Sequence, residues 1–487
     1  MRCWPTRFPT STRNARTLWK VKPMAVIFGV LLLSSCRPVT PVPPAGGTET
    51  RAPVPTTARP LPTRYRGTAT AAGNTPARET TAVQATSPPS TLTPAPETSA
   101  FLAPDGLKIA FVFEGNLYIQ DSSDPPRQLT AGGNDWYPIF SDDGEKLVFF
   151  RGVVPHDLYA VDVDGSQEQA LVSADLLHSL GYRDSTELRS LAFLPGSHRL
   201  LFNTHELDPL DIKMKDQNRR GARPNNDLLV VDAETGHVTP ILPPGQGGRF
   251  LVSPEGNLVA VLAEGHVDVV GVDGNMVYRN LVAYTPSRPV ALEPYLYWLP
   301  DSTGLLVLLP VETDYQREGP ATYAVRRYSL DGSAAVRVPL EPPLTDAGLV
   351  VVSPDRQWIL YNRLVDGALA SLQVGNLGNG RSREYGPPAS SQSWSPDSLH
   401  FVYDVTGEGL YLGRLDDSPT FLAEGIFLGW IDARRYLYVE RDKWTLVLGD
   451  IEREAVPLFY DVPSASLSNG RNFFTFVYPG DGAEEGG

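Results

Sequence analysis

The chain has 487 residues, 41% hydrophobic and 9% aromatic, which is enough apolar surface for a large core. Its formal net charge is −14, but residues 1–100 balance at +9 and residues 101–487 at −23. An acidic C-terminal part excludes general nucleic-acid binding, which needs a basic surface. Both cysteines, Cys3 and Cys36, precede that part, so packing rather than disulfides must hold it together.

In chain order, the first segment reads as an export signal. Arg2, Arg7, Arg13, Arg16, Lys20 and Lys22 precede an apolar run from Met24 to Leu33, with no acidic residue among them. Ten apolar residues reach about 15 Å as a helix, roughly half a bilayer core, which suits a signal-peptide h-region and is too short to span. Leu33-Ser34-Ser35-Cys36 follows. This tetrapeptide resembles the bacterial lipobox. The resemblance implies cleavage after residue 35, a diacylglycerol on the Cys36 sulfur and Cys36 as the mature N-terminus. It also implies an exported chain, lipid-anchored at the outer face of the bacterial cell membrane or at a periplasmic face of the envelope. Two or three acyl chains anchor stably, whereas one is marginal.

Residues 36–100 read as a tether. Positions 37–100 hold 13 Pro and 15 Thr and few large apolar side chains. Such a segment buries too little surface to offset its ordering entropy, so a disordered linker is expected. Its 64 residues would reach about 200 Å extended and about 45 Å as a coil.

From residue 101 to 478 short apolar runs alternate with turn clusters, and no stretch keeps a helical period. The unit is an apolar strand, a Ser-Pro-Asp-Gly-like turn, a second strand, a loop, a Leu-Tyr-type third strand, a turn and a short fourth strand. The clearest copy runs Trp136–Ser141, Asp142-Asp143-Gly144, Lys146–Phe150, Asp157–Asp162, Asp164-Gly165 and Glu168–Val172. The same turn recurs at Pro104-Asp105-Gly106, Pro195-Gly196, Ser253–Gly256, Pro300–Ser302, Ser353–Asp355, Ser395–Asp397, Ile431-Asp432 and Ser468–Gly470. Eight of these nine units have room for four strands. The ninth, about 463–478, has only the first two, and pairing it with the first blade closes a ring. The expected fold is all-β: one propeller of four-stranded blades, eight blades with seven as runner-up, followed by a disordered tail at 479–487. Tyr297, Trp298, Trp394 and Trp430 fall in or just after innermost strands and are read as inter-blade packing.

The pattern Pro-x-Phe-Ser-(Pro/Asp)-Asp-Gly, an apolar strand, then Leu-Tyr, resembles the TolB-like, WD-type repeats that also build the propellers of dipeptidyl-peptidase-type serine peptidases. The resemblance covers about residues 101–478. It implies fold and says little about function, since members include envelope scaffolds and substrate-gating propellers. A peptidase of that type would carry Gly-x-Ser-x-Gly, and this sequence has none. Ser141-Asp142-Asp143-Gly144 lacks the spacing of a sialidase box. His156, His178, His198, His205, His237, His266 and His400 form no His-x-His or His-Glu-x-x-His cluster. Asp162-Val163-Asp164-Gly165 lacks the further acidic ligands of a calcium loop and is read as a strand-ending turn. No catalytic residue, metal or cofactor is therefore expected, although a site assembled across blades stays open.

The expected binding face is the end of the ring carrying the second-to-third-strand loops and the blade-to-blade connections. Two such loops are long: 204–226, with Lys213, Lys215, Arg219, Arg220 and Arg223, and 312–322, with Glu312, Asp314, Tyr315 and Arg317. The basic cluster, with Asp208, Asp211 and Asp216 inside it, reads either as a contact for an anionic ligand or as a self-neutralised loop. The blade-linking stretch Ser173–Glu187 belongs to the same end. Arg151, His205, Glu206, Glu264, Glu312, Arg363 and Asp404 end second strands and are expected near the mouth of the channel. The expected function is a monomeric, membrane-tethered protein-interaction or scaffold module. Alternatives are a receptor for a small anionic ligand or glycan, and a lyase or hydrolase with a cross-blade site.

Overall fold

The computed structural model describes residues 104–152, 156–207, 223–286, 293–311, 322–345, 350–366, 368–416, 418–459 and 474–479. The signal segment, Cys36, the tether and the tail from 480 onward lie outside them. So do Lys213, Lys215, Arg219, Arg220, Glu312, Asp314, Tyr315 and Arg317.

Eight antiparallel sheets follow one another in a ring, an eight-bladed β-propeller. Blade 2 shows the plan. Its strands Asp135–Phe140, Lys146–Arg151, Asp157–Asp162 and Gln169–Val172 pair in sequence order from the channel outward. The first-to-second and third-to-fourth turns share one end of the ring, here the turn end. The second-to-third loops and the connections between blades share the other, here the loop end.

The ring closes where the sequence places its last unit, with one difference. Phe474–Val477 pairs antiparallel with Lys108–Phe113 and becomes the innermost strand of blade 1. The N-terminal unit therefore supplies three strands rather than four. Of the two strands expected in the C-terminal fragment, one lies among the described residues. Ring closure selects it because an isolated innermost edge would leave a row of backbone donors and acceptors unpaired.

Hydrophobic burial explains why blades stack. Each of the eight core clusters spans one pair of adjacent blades, blade 8 with blade 1 included. Within Lys146–Arg151, Leu147 and Phe149 pack toward blade 1, while Val148 and Phe150 pack toward blade 3. This two-sided burial is why second strands read as continuous apolar runs rather than alternating ones. Trp298 and Trp394 serve the same seams: their indole N–H groups donate to Leu251 O at 2.9 Å and Val351 O at 3.1 Å, each in the preceding blade.

The repeated turn has a common mechanism. The hydroxyls of Ser141, Ser353 and Ser395 accept from the backbone N–H five residues on, at 3.0, 2.9 and 2.9 Å. They donate to Asp143, Asp355 and Asp397, at 2.6, 2.5 and 2.5 Å. The turn's last position takes positive φ, met by Gly144 and Gly256 without strain. Ser302, Arg356 and Ser398 take it too, at φ 56, 60 and 65°. A left-handed non-glycine residue costs about 1–2 kcal/mol, and each of these three offsets it by bonding a neighbouring blade. Ser302 Oγ accepts from Glu255 N at 3.2 Å, and Ser398 Oγ accepts from Asp355 N at 3.1 Å. Arg356 Nε donates to Trp298 O at 2.7 Å. The turn end is thus tied together blade to blade.

Between blades 2 and 3 that tie is ionic. Lys146, 2% exposed, bonds Asp162 of its own blade and lies 3.3 Å from Glu234 of the next. His198 joins Glu234 through Nδ1 and Asp143 through Nε2, the latter at 2.8 Å. Burial opposes the charged imidazole, but the hydrogen bonds to Glu234 and Asp143 outweigh it and raise the His198 pKa. A raised folded-state pKa gives stability that is complete below the unfolded value of about 6.5 and is lost as pH rises through the folded value. The Asp143 carboxyl is held low chiefly by its bonds to Ser141, Glu145 N and His198, against burial, so its share fades only in acid. Melting temperatures of wild type and His198→Gln should therefore differ most below pH 6.5 and converge as the pH rises above it. The gap corresponds to about 1 kcal/mol, as for partly exposed pairs. A gap that widens with pH would refute the assignment.

Candidate functional site

At the loop end, the described residues of the expected mouth divide into those already engaged and those left to solvent. Arg151 is engaged. Its guanidinium meets the carboxylate of Asp135 at 2.6 and 3.0 Å, reaches Glu168, and lies over the rings of Phe149 and Tyr159. The Asp135 side chain is fully buried, and it also takes the hydroxyl of Thr130. Arg151 therefore fastens blade 2 from within. Glu206 faces Arg183 at 3.3 Å. Arg223 is exposed on a two-residue strand, Arg223–Pro224, that folds back against Glu206 and His205. Arg363 is exposed on Trp358–Val365. Asp404 is half-buried, and burial raises its carboxyl pKa against the opposing charge of Arg441.

The strand Trp358–Val365 and its partner Ala368–Asn376 form the longest hairpin of the ring's loop end among the described residues. Its tip carries Val365 and Leu369, 43% and 47% exposed, beside Asp366 at positive φ. Leu180, after the short helix Ala174–Ser179 capped by Ser173, is exposed at the same end. This helix occupies the long connection between blades 2 and 3.

His205 is not at the mouth in the sense of being open. It is 4% exposed, within a polar cluster that spacing in the sequence does not reveal. Glu187, 1% exposed, is its cross-strand partner, and Glu187 Oε1 binds His156 of blade 2 through both the ring Nδ1 and the backbone N–H, the latter at 3.0 Å. The His156 ring meets Trp136 edge-on at 4.5 Å between centroids. Two imidazoles thus flank one carboxylate at the seam of blades 2 and 3. A His–carboxylate pair is a common catalytic element, but at 1–4% exposure this one offers a substrate no surface. Beside it, Asp227 is fully buried and accepts from Thr204 N and Oγ1 at 2.8 and 2.6 Å.

At the turn end Asp143, Glu145 and His198 bring a carboxylate, a carboxylate and an imidazole within 4.8 Å of one another. Both ring nitrogens of His198 are already occupied by carboxylates.

No protein-family model matches the chain, and no curated protein matches it. Solved structures do, at low sequence identity. An oligogalacturonate lyase from Vibrio parahaemolyticus is 13% identical, covering 67% of this chain and 98% of its own, with a TM-score of 0.43. TolB from Acinetobacter baumannii is 13% identical, covering 58% and 67%, with a TM-score of 0.28. The Cps50 propeller domain of Myceliophteria thermophila is 12% identical, covering 65% and 100%, with a TM-score of 0.37. These likenesses concern the fold alone. They include both the TolB and the WD-type propellers that the repeat resembles.

Proposed function

We propose that this chain is a lipid-tethered, extracytoplasmic binding module that acts through the loop end of its propeller and is not itself an enzyme. The observation that supports this reading is the contrast between the two ends. The turn end is made of short turns whose polar groups are bonded to one another and to neighbouring blades. The loop end carries the long connections, an apolar-tipped hairpin at Val365 and Leu369, and exposed Arg223 and Arg363. Long loops and exposed aliphatic tips on a rigid ring are how repeat scaffolds engage partners. A partner that buries those tips and pairs with the arginines is a protein with an acidic rim.

The test has two arms. In vivo crosslinking compares partners of the full chain with those of a variant in which residues 208–222 are replaced by a three-residue turn. The variant is expected to lose at least one specific partner at equal expression, and identical partner sets would refute the loop-end reading. In the second arm, Cys36→Ser is expected to abolish lipid labelling and release the chain into the soluble envelope fraction. Retention in the membrane fraction would refute the anchor.

A further inference from the structure

The innermost strands line the channel, and four of them carry a bulge. The register with the second strand slips between Trp136 and Ile139 in blade 2 and between Leu188 and Ser190 in blade 3. It slips between Ser391 and Ser393 in blade 7 and between Phe427 and Gly429 in blade 8. Tyr137, Arg189, Gln392 and Leu428 are thereby left out of the ladder. The innermost strands of blades 1, 4, 5 and 6 pair without a slip. The four residues lie two or three positions in from the loop end, about 7–10 Å at 3.3 Å per residue, so they form one layer of the channel wall. A bulge bends its strand and re-aims a side chain, and bulges gather beside working sites.

The bulge of blade 3 presents a cation. Leu188 is buried at the seam with blade 2, but Arg189 after it is exposed, and the solvent that an innermost strand reaches is the channel. Asn203, 2% exposed, locks this bulge: its Oδ1 accepts from Ser190 N at 3.1 Å, and its Nδ2 donates to Gly248 O at 2.8 Å. In blade 2 the bulge holds Tyr137 at φ 57°, a region that bulky residues avoid. Four side chains of the described innermost strands are charged: Asp135, Glu187, Arg189 and Arg249. Asp135 is taken by Arg151, Glu187 by His156 and Arg249 by Glu293. Arg189 makes no ion pair or hydrogen bond with the described residues. Around it the innermost strands expose apolar side chains, Leu251 at 36% and Tyr295 at 40%, with Leu428 half-buried.

We propose that this layer is a receptor site for a carboxylate carried on an apolar body, which enters the channel from the loop end and is clamped by Arg189. A single guanidinium fork matches a carboxylate with two parallel hydrogen bonds. A phosphate carries nearly two charges, and one arginine in a propeller of net charge −23 does not balance it. A mostly apolar wall with one well-placed polar group is the usual make-up of a small-ligand site. Asn203 is a positioning residue, since it holds the bulge and not the ligand. The carboxylate belongs either to a free organic acid or to the C-terminus of a polypeptide. The site lies inside the ring, so it stands whether or not the rim engages a protein.

The experiment is a thermal-shift screen of the full chain, followed by calorimetric titration of what binds. The probes are benzoate, phenylacetate and hexanoate for the free acids, and N-acetylleucine and N-acetylphenylalanine for a polypeptide C-terminus. Each is used at about 5 mM, enough to fill a site of millimolar Kd, and each is paired with its uncharged amide. At least one acid is expected to raise the melting temperature and to bind with one-to-one stoichiometry. Its amide should bind about tenfold more weakly or worse, since a charged hydrogen-bond partner is lost. Arg189→Gln should lose at least as much, and Arg189→Lys should fall between it and wild type. Arg279→Gln, on the outer strand of blade 4, should bind as wild type does. Binding of the N-acetyl amino acids alone identifies a polypeptide C-terminus, and binding of the simple acids identifies a free organic acid. Failure of every acid to bind overturns the proposal. So does an amide that binds as well as its acid, or binding that survives Arg189→Gln. Arg189 is exposed, so its replacement leaves the fold intact, which circular dichroism checks. Carboxylate binding that persists in the 208–222 replacement while crosslinked partners are lost would separate this site from the loop-end surface.

Discussion

Ending the chain before Phe474 should abolish the single cooperative melting transition of the propeller. Phe474–Val477 is the innermost strand of blade 1 and joins it along Lys108–Phe111. Phe474 is 7% exposed and belongs to the cluster that welds blade 8 to blade 1, with Phe476 and Tyr478 packed against it. Burying a Phe side chain contributes about 1.5–3 kcal/mol, so losing this short strand removes several kcal/mol of burial before any backbone bond is counted. The larger loss is topological. Without the strand the ring has two open edges, and each exposes an apolar blade face that its neighbours no longer cover. Calorimetry of the truncated chain is expected to show a broad, low-enthalpy transition, with aggregation at micromolar concentration. A sharp transition within a few degrees of wild type would show that the ring does not depend on this closure. Phe474→Asp is the milder form of the same test and should shift the transition in the same direction.

Arg151→Met should cost about 3–5 kcal/mol, among the largest effects of any single substitution in the chain. The substitution removes the guanidinium that lies over the Tyr159 ring and faces Asp135. That carboxylate is fully buried at the seam of blades 1 and 2, so its partner's loss leaves an uncompensated charge. For a ring of this size the change corresponds to a fall of roughly 5 °C in melting temperature. The companion Arg151→Met/Asp135→Asn should recover most of the loss, because no buried charge then remains. Equal stability of Arg151→Met and wild type would mean that Arg151 is a surface residue free for a ligand. The same variants report on function: crosslinked partners at the loop end should be unchanged in the double variant.

How much of this was legible in the sequence depends on the distance over which each feature is assembled. The blades are local. Ser353, Asp355 and Trp358 lie within six consecutive positions and make one turn with one set of bonds, so repetition exposes them. The alternation of Leu147 and Phe149 against Val148 and Phe150 appears as a plain apolar run, which a blade between two neighbours requires. The polar clusters are not local. Glu187 meets His156 across 31 positions, and His198 meets Asp143 across 55. No spacing rule reaches across a blade boundary, because loop lengths there vary freely. A histidine in the chain therefore looks isolated until the ring brings its partner alongside. Arg151 shows the converse. Its place at the end of a strand suggested solvent, but the buried carboxylate that claims it stands 16 positions away on the neighbouring strand. The left-handed residues Arg356 and Ser398 fall between these cases. Their positions in the turn are legible, while their reason for not being glycine lies in the preceding blade.

The way the ring closes also decides where it can be held. Lys108, at the start of the first described strand, is paired with Val477, near the end of the last, and both lie beside Gly144 at the turn end. The first and the last described strands of the propeller thus have their outer ends on the same side of the ring. A strand of six residues spans about 20 Å, so a fluorophore, affinity handle or solid support joined directly beside Lys108 or Val477 stays a full ring thickness from the loops. Sensors built by immobilising this protein would present the opposite face without steric cost. A circularly permuted version, with the old ends joined by a short bridge, could be opened on any blade without disturbing that face.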